Sequence, residues 1–98
     1  MAEFEKELNT KAMDELFKVI LGLRTMEECR RFFRDVCTFA ELKAMAERFQ
    51  VAKMISENIS YREISKKTGA STATVTRVAY WLHHGMGGYE LVLDRMKR

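Results

Sequence analysis

Thr72, Ala73, Thr76, Arg77 and Tyr80 fall on one face of a short helical segment, and their types suit recognition of a surface more than bond-making. The segment around them, Ser60 to His84, reads S-Y-R-E-I-S-K-K-T-G-A-S-T-A-T-V-T-R-V-A-Y-W-L-H-H. Small side chains near the amino end let a helix sink into a DNA major groove about 12 Å wide, where large ones would hold it off. Threonine and alanine methyls can meet a thymine methyl, and a base one turn further along can meet the edge of the groove.

Two short helices must position that face. Ser60 with Glu63 has the spacing of a capping box and starts the first at Tyr61, with Ile64 facing inward. Gly69 stands where this helix ends and the chain turns through a left-handed residue. Ser71 caps the second helix, whose apolar positions Val75, Val78, Ala79 and Leu82 are three or four apart and form the face opposite the small residues. The pattern over about 60–84 is that of a DNA-binding helix-turn-helix. A helical hairpin that packs its small residues against a neighbour shares the glycine turn and the apolar seam.

Charge favours the DNA reading. Residues 59–98 hold seven Lys and Arg (Arg62, Lys66, Lys67, Arg77, Arg95, Lys97, Arg98) against three acids, whereas residues 1–58 hold ten against eleven. The net charge of +3 thus hides an asymmetry, with the basic excess where a phosphate backbone would lie.

The rest of the chain reads as helix. Met13, Leu16, Phe17, Ile20 and Leu21 make a stripe of helical period between Thr10 and Gly22. Thr25 with Glu28 opens a helix to about Val36, with Cys29, Phe32, Phe33 and Val36 inward. Thr38 with Glu41 opens the longest, to about Glu57, with Leu42, Met45, Ala46, Phe49, Ala52 and Ile55 on one face. After G-M-G-G, Tyr89, Val92, Leu93 and Met96 form a last amphipathic helix. The sum is an all-α chain of six helices, without proline and without a strand. Its 98 residues form one domain, 1–98, which as a monomer would bury only about two-thirds of its unfolded surface. Apolar stripes wider than so small a core needs, with Phe32, Phe33, Phe39, Phe49 and seven methionines, call for a second copy to cover them. Two reading heads related by a dyad would meet half-sites about 34–36 Å apart, so the expected partners are a homodimer mate and a roughly palindromic double-stranded DNA operator.

Other classes fit less well. No apolar run approaches the roughly 20 residues of a membrane span, and the start, M-A-E-F-E-K-E-L, lacks a signal peptide's apolar region, so the expected location is cytoplasmic, with no membrane partner. Cys29 and Cys37 are then reduced core thiols. His83 and His84 are neighbours pointing about 100° apart, not a metal grip, and no zinc spacing, nucleophile motif or phosphate loop is present, so neither an enzyme nor a metal site is expected. The two histidines instead suit the negative end of their helix. A protein-interaction module and a duplex binder without transcriptional role, as in replication initiators, are the remaining alternatives.

These residues resemble the Trp repressor family, in its YerC/YecD branch of small bacterial proteins. The resemblance runs from about Thr10 to Met96 and is most specific over E-L-K-A-M-A-E-R-F (41–49), Y-R-E-I (61–64) and T-G-A-S-T-A-T-V-T-R (68–77). It implies an intertwined all-helical homodimer that acts as a transcriptional regulator, most simply a repressor. The DNA-contacting positions it implies are Arg62, Ala70, Ser71, Thr72, Ala73, Thr76 and Arg77. Arg62 is the first choice for a guanine contact, and Lys66 and Lys67 hold the backbone. The namesake binds tryptophan between two arginines, matched here by Arg48 and Arg77. Val78 stands where the namesake has glycine, and Trp81 where it has serine. Both should fill the pocket, so no tryptophan cofactor is expected at an effector pocket of Arg48, Arg77, Val78 and Trp81.

Overall fold

The computed structural model describes residues 6–97, all of them helix, turn or loop. Six helices follow a short helical stretch at residues 6–8 that the periodicity does not reveal: α1 (Lys11–Leu21), α2 (Met26–Val36), α3 (Phe39–Ser56), α4 (Tyr61–Thr68), α5 (Thr72–His84) and α6 (Gly88–Met96). The chain divides between Cys37 and Thr38 into two compact units.

Local chemistry sets nearly every helix start. Thr10, Thr25, Thr38, Ser60 and Ser71 each sit in extended backbone and accept, through the side-chain oxygen, a hydrogen bond from the amide three residues on. Thr38 alone forms the full reciprocal box, its amide donating to Glu41 Oε1 at 2.9 Å while its hydroxyl accepts from the Glu41 amide at 3.1 Å. At Thr25 the box is displaced by one residue, because the Glu28 carboxylate takes the Arg24 amide instead. Helix α3 ends through Asn58 at φ 63°, the residue type after glycine that best tolerates the left-handed region.

In the N-terminal unit, neither α1 nor α2 contains a buried residue. Met13, Leu16, Ile20, Phe32 and Phe33 are half-buried, and Phe32 meets Phe33 edge to face at 5.4 Å. Cys29 and Cys37 are free thiols, half-buried and not part of a core, which corrects the expectation for them.

The core lies in the second unit, where α3, α4, α5 and α6 pack together. Val51, Ile64 and Val75 are its largest fully buried side chains, joined by Ala52, Ile55, Ala70, Val78, Ala79, Leu82 and Leu93. The buried part of α3 is its carboxyl half, Val51, Ala52 and Ile55. Met45 and Ala46, expected inward, are exposed, and Leu42 is only half-buried.

Candidate nucleic-acid interface

Helices α4 and α5 are joined by three residues, Gly69 to Ser71, and side-chain hydroxyls tie that joint down. Thr68 Oγ1 donates to the Ile64 carbonyl at 2.8 Å and accepts from the Ala70 amide at 3.1 Å, while Ser65 Oγ donates to the Ala70 carbonyl. Gly69 closes α4 at φ 80°, where a side chain is strained for conformational reasons alone, since a Cβ there would touch nothing within 4 Å. Ile64 from α4 and Val75 from α5 are both fully buried, fixing the pair as one body.

This packing turns one face of α5 inward and leaves the other free. Val75, Val78, Ala79 and Leu82 are the buried residues of the helix. Thr72, Ala73, Thr76, Arg77 and Tyr80 are exposed. Ser71 is committed to capping, its hydroxyl accepting from the Thr74 amide and donating to Thr74 Oγ1, both at 3.1 Å. Thr76 Oγ1 donates to the Thr72 carbonyl at 2.9 Å, so the face Thr76 shows to a partner is a methyl and acceptor lone pairs. Arg62, Lys66 and Lys67 are exposed on α4. Among the described residues only Arg30 and Glu27 form an ion pair, at 3.8 Å, leaving all four bases of this surface without an acidic partner.

Ala70 does not belong to the exposed set. Its side chain is buried in the core, so it shapes the turn and offers nothing to a base edge.

Beside α5, facing α3 and the start of α6, lies a cleft of about 390 Å³. Arg48, Glu47 and Ala44 line it from α3, Thr74, Arg77, Val78 and Trp81 from α5, and Tyr89 from α6. The four residues expected to share a pocket therefore do so. The expectation that Val78 and Trp81 fill it does not hold, because Val78 is turned into the core and forms the floor, while Trp81 stands half exposed as a wall. The volume left is within the range of small-molecule sites. A second groove of about 320 Å³ separates α3 from α4, with Lys43, Gln50, Lys67 and again Glu47 on its walls. Glu47 thus stands between two clefts that carry four bases, a position that sequence reasoning missed; its four-residue separation from Lys43 and the adjacent Arg48 were the available signals.

His83 and His84 are exposed at the carboxyl end of α5, where Gly85 donates to the Trp81 carbonyl at 2.8 Å. A Cβ on Gly85 would collide with that oxygen. No group of three or more His, Cys, Asp or Glu side chains among the described residues could hold a metal ion. No helix among them is long and apolar enough to cross a membrane.

Comparison with known proteins gives one consistent answer. Residues 11–97 match the family model described as Trp repressor protein. The chain is similar to the uncharacterized protein YerC of Bacillus subtilis, 47% identical over 91 residues that cover 93% of this chain and 88% of that one. It is also similar to a Trp operon repressor homolog of Chlamydia caviae, 32% identical over 73 residues, 74% of this chain and 72% of the other. Among solved structures, a TrpR-like protein from Eubacterium eligens superposes with a TM-score of 0.91 at 44% identity, covering 94% of this chain and 95% of its own.

Proposed function

The chain belongs to the Trp repressor protein family, and on that premise we propose that it is a sequence-specific double-stranded DNA-binding regulator of transcription, acting as a homodimeric repressor. The observation that carries the reading is the exposed face of α5, in which Thr72, Ala73 and Thr76 project beyond a fully apolar buried side while Arg62, Lys66, Lys67 and Arg77 flank them without acidic partners. Helix α5 enters the major groove amino end first, α4 lies across the backbone, Arg62 grips a guanine, and the two lysines hold phosphates. The name of the Chlamydia caviae relative, a Trp operon repressor homolog, supports repression as the sense of control.

Support for the dimer comes from apolar surface the chain does not cover. Leu21, Met26, Val36, Phe39 and Met45 are exposed at 84%, 72%, 56%, 64% and 39%. Apolar surface on this scale marks an interface, and a second copy related by a dyad gives the two heads that a palindromic operator needs. The pair works in the cytoplasm and catalyses nothing.

Tryptophan is not its cofactor in this reading. The reading rests on Val78 and Trp81, which line the cleft beside Arg48 and Arg77 and, without filling it, narrow the room left for a free indole. The deciding experiment is selection of bound duplexes from a randomised library at physiological salt, with and without tryptophan, followed by calorimetry. An enriched inverted repeat, unchanged by tryptophan, supports the whole reading. Saturable heat with tryptophan overturns the cofactor part alone. No enrichment, with binding that does not weaken as salt rises, overturns the DNA reading, because phosphate contacts require a log-log slope of about −0.9 each.

A further inference from the structure

Thr72, Thr76, Tyr80 and His84 recur every four residues on α5 and form one exposed row along its length. The row outruns the groove. At about 1.5 Å of rise per residue, Tyr80 stands about 12 Å along the axis from Thr72, whereas the major groove is about 8.5 Å deep. With the amino end of α5 on the groove floor, Tyr80 lies at the level of the rim, where the partner presents phosphate oxygens and no base edges. The residue is 56% exposed, yet its ring is not free, because it meets Trp81 edge to face at 5.4 Å and the His84 ring at 4.9 Å and 43°. No described residue hydrogen-bonds the Tyr80 hydroxyl, so a donor with a fixed ring behind it faces outward.

Resting on the DNA reading above, the geometry points to Tyr80 as a further contact residue: its hydroxyl donates to a phosphate oxygen at the groove rim, and His84 is the positioning residue that holds the ring. The contact sets register and depth of insertion without reading sequence. Being uncharged, it releases no counterion, which separates it from the lysines and arginines in a salt titration.

The test uses the full chain with two duplexes of about three helical turns, one from the selection above and one of mixed sequence. Tyr80→Phe removes only the hydroxyl and keeps the ring contacts. It is expected to weaken both duplexes by about fivefold to tenfold, with the salt slope unchanged. Neutral methylphosphonates placed one at a time along the selected duplex should cost the wild type several-fold at one rim phosphate per half-site and cost Tyr80→Phe nothing further there. His84→Ala should weaken binding less, and not at all in the Tyr80→Phe background, a coupling that mere loss of helix stability would not produce. Equal affinity of Tyr80→Phe and wild type, or losses of the two that add at every phosphate, overturns the assignment while leaving the DNA reading intact. Failure of the wild type to bind either duplex at low salt removes the reading itself and this inference with it.

Discussion

Replacing Gly69 with alanine separates conformational strain from packing at the joint between α4 and α5. The glycine sits at φ 80° with nothing within 4 Å of where a Cβ would be, so the added methyl meets no atom and the cost is that of holding an L-residue in the left-handed region. That cost is about 1–2 kcal/mol, against which alanine returns about 0.4–1 kcal/mol by narrowing the unfolded ensemble. The net expectation is a loss of about 1 kcal/mol for Gly69→Ala and a smaller one for Gly69→Asn, since asparagine adopts this backbone more readily. Urea unfolding followed by circular dichroism reads both, at one fixed protein concentration because the proposed dimer would make the apparent stability depend on concentration. Wild-type stability for Gly69→Ala would mean that the turn is not left-handed in solution. A loss above about 3 kcal/mol would mean that the space around Gly69 is occupied, as in tight packing against a neighbour. Since hydroxyls of Ser65 and Thr68 on α4 hold the carbonyl and the amide of Ala70 within the joint, the folded variant should keep its DNA affinity at temperatures well below its midpoint.

Three further outcomes follow from the interface and its surroundings. Arg62→Ala should relax base preference at one position of each half-site, whereas Lys66→Ala should weaken all sequences about equally and lower the salt slope by about one per contact; uniform loss in both variants, read by repeated selection and filter binding, would remove Arg62 from base readout. Glu47→Gln deletes the one carboxylate lining both clefts and should tighten DNA binding about twofold to fivefold at low salt, an effect lost at high salt if it is electrostatic. For Glu41, hydrogen bonds from the backbone and then the side chain of Thr38 lower the carboxyl pKa from its ordinary 4.5. Its stabilisation is therefore complete above about 4.5 and is lost as pH falls through the lower folded value, so Glu41→Gln should flatten the acid limb of the stability profile, and an unchanged limb would refute the capping role.

How much of this was legible in the sequence depended on how local each feature is. The caps at Thr38, Ser60 and Ser71 and the buried row Val75, Val78, Ala79 and Leu82 depend on residues within one turn of one another, and period and residue type suffice to find them. The buried face of α3 was harder because it is set by which other helices arrive. Periodicity selects a stripe from Leu42 to Ile55, yet α4, α5 and α6 cover only the carboxyl half, so Val51 is sealed and Met45 is not. The sequence groups the four pocket residues together, as the cleft does, but does not give the direction in which each side chain points. Val78 serves the core and the cleft at once, and sequence comparison measures the size of a side chain without its direction. Ala70 failed for the same reason, its methyl pointing inward from a turn whose neighbours point out.

The placement of the core in the second unit has a consequence for how the chain comes into being. Synthesis runs from the amino end, so α1 and α2, which contain no buried residue, exist before Val51, and the core is not complete until Leu93 has joined it. Throughout that interval Leu21, Met26 and Val36 have only water or another molecule to meet. The order of synthesis is thus itself a source of aggregation pressure, which lasts until the end of the chain has been made.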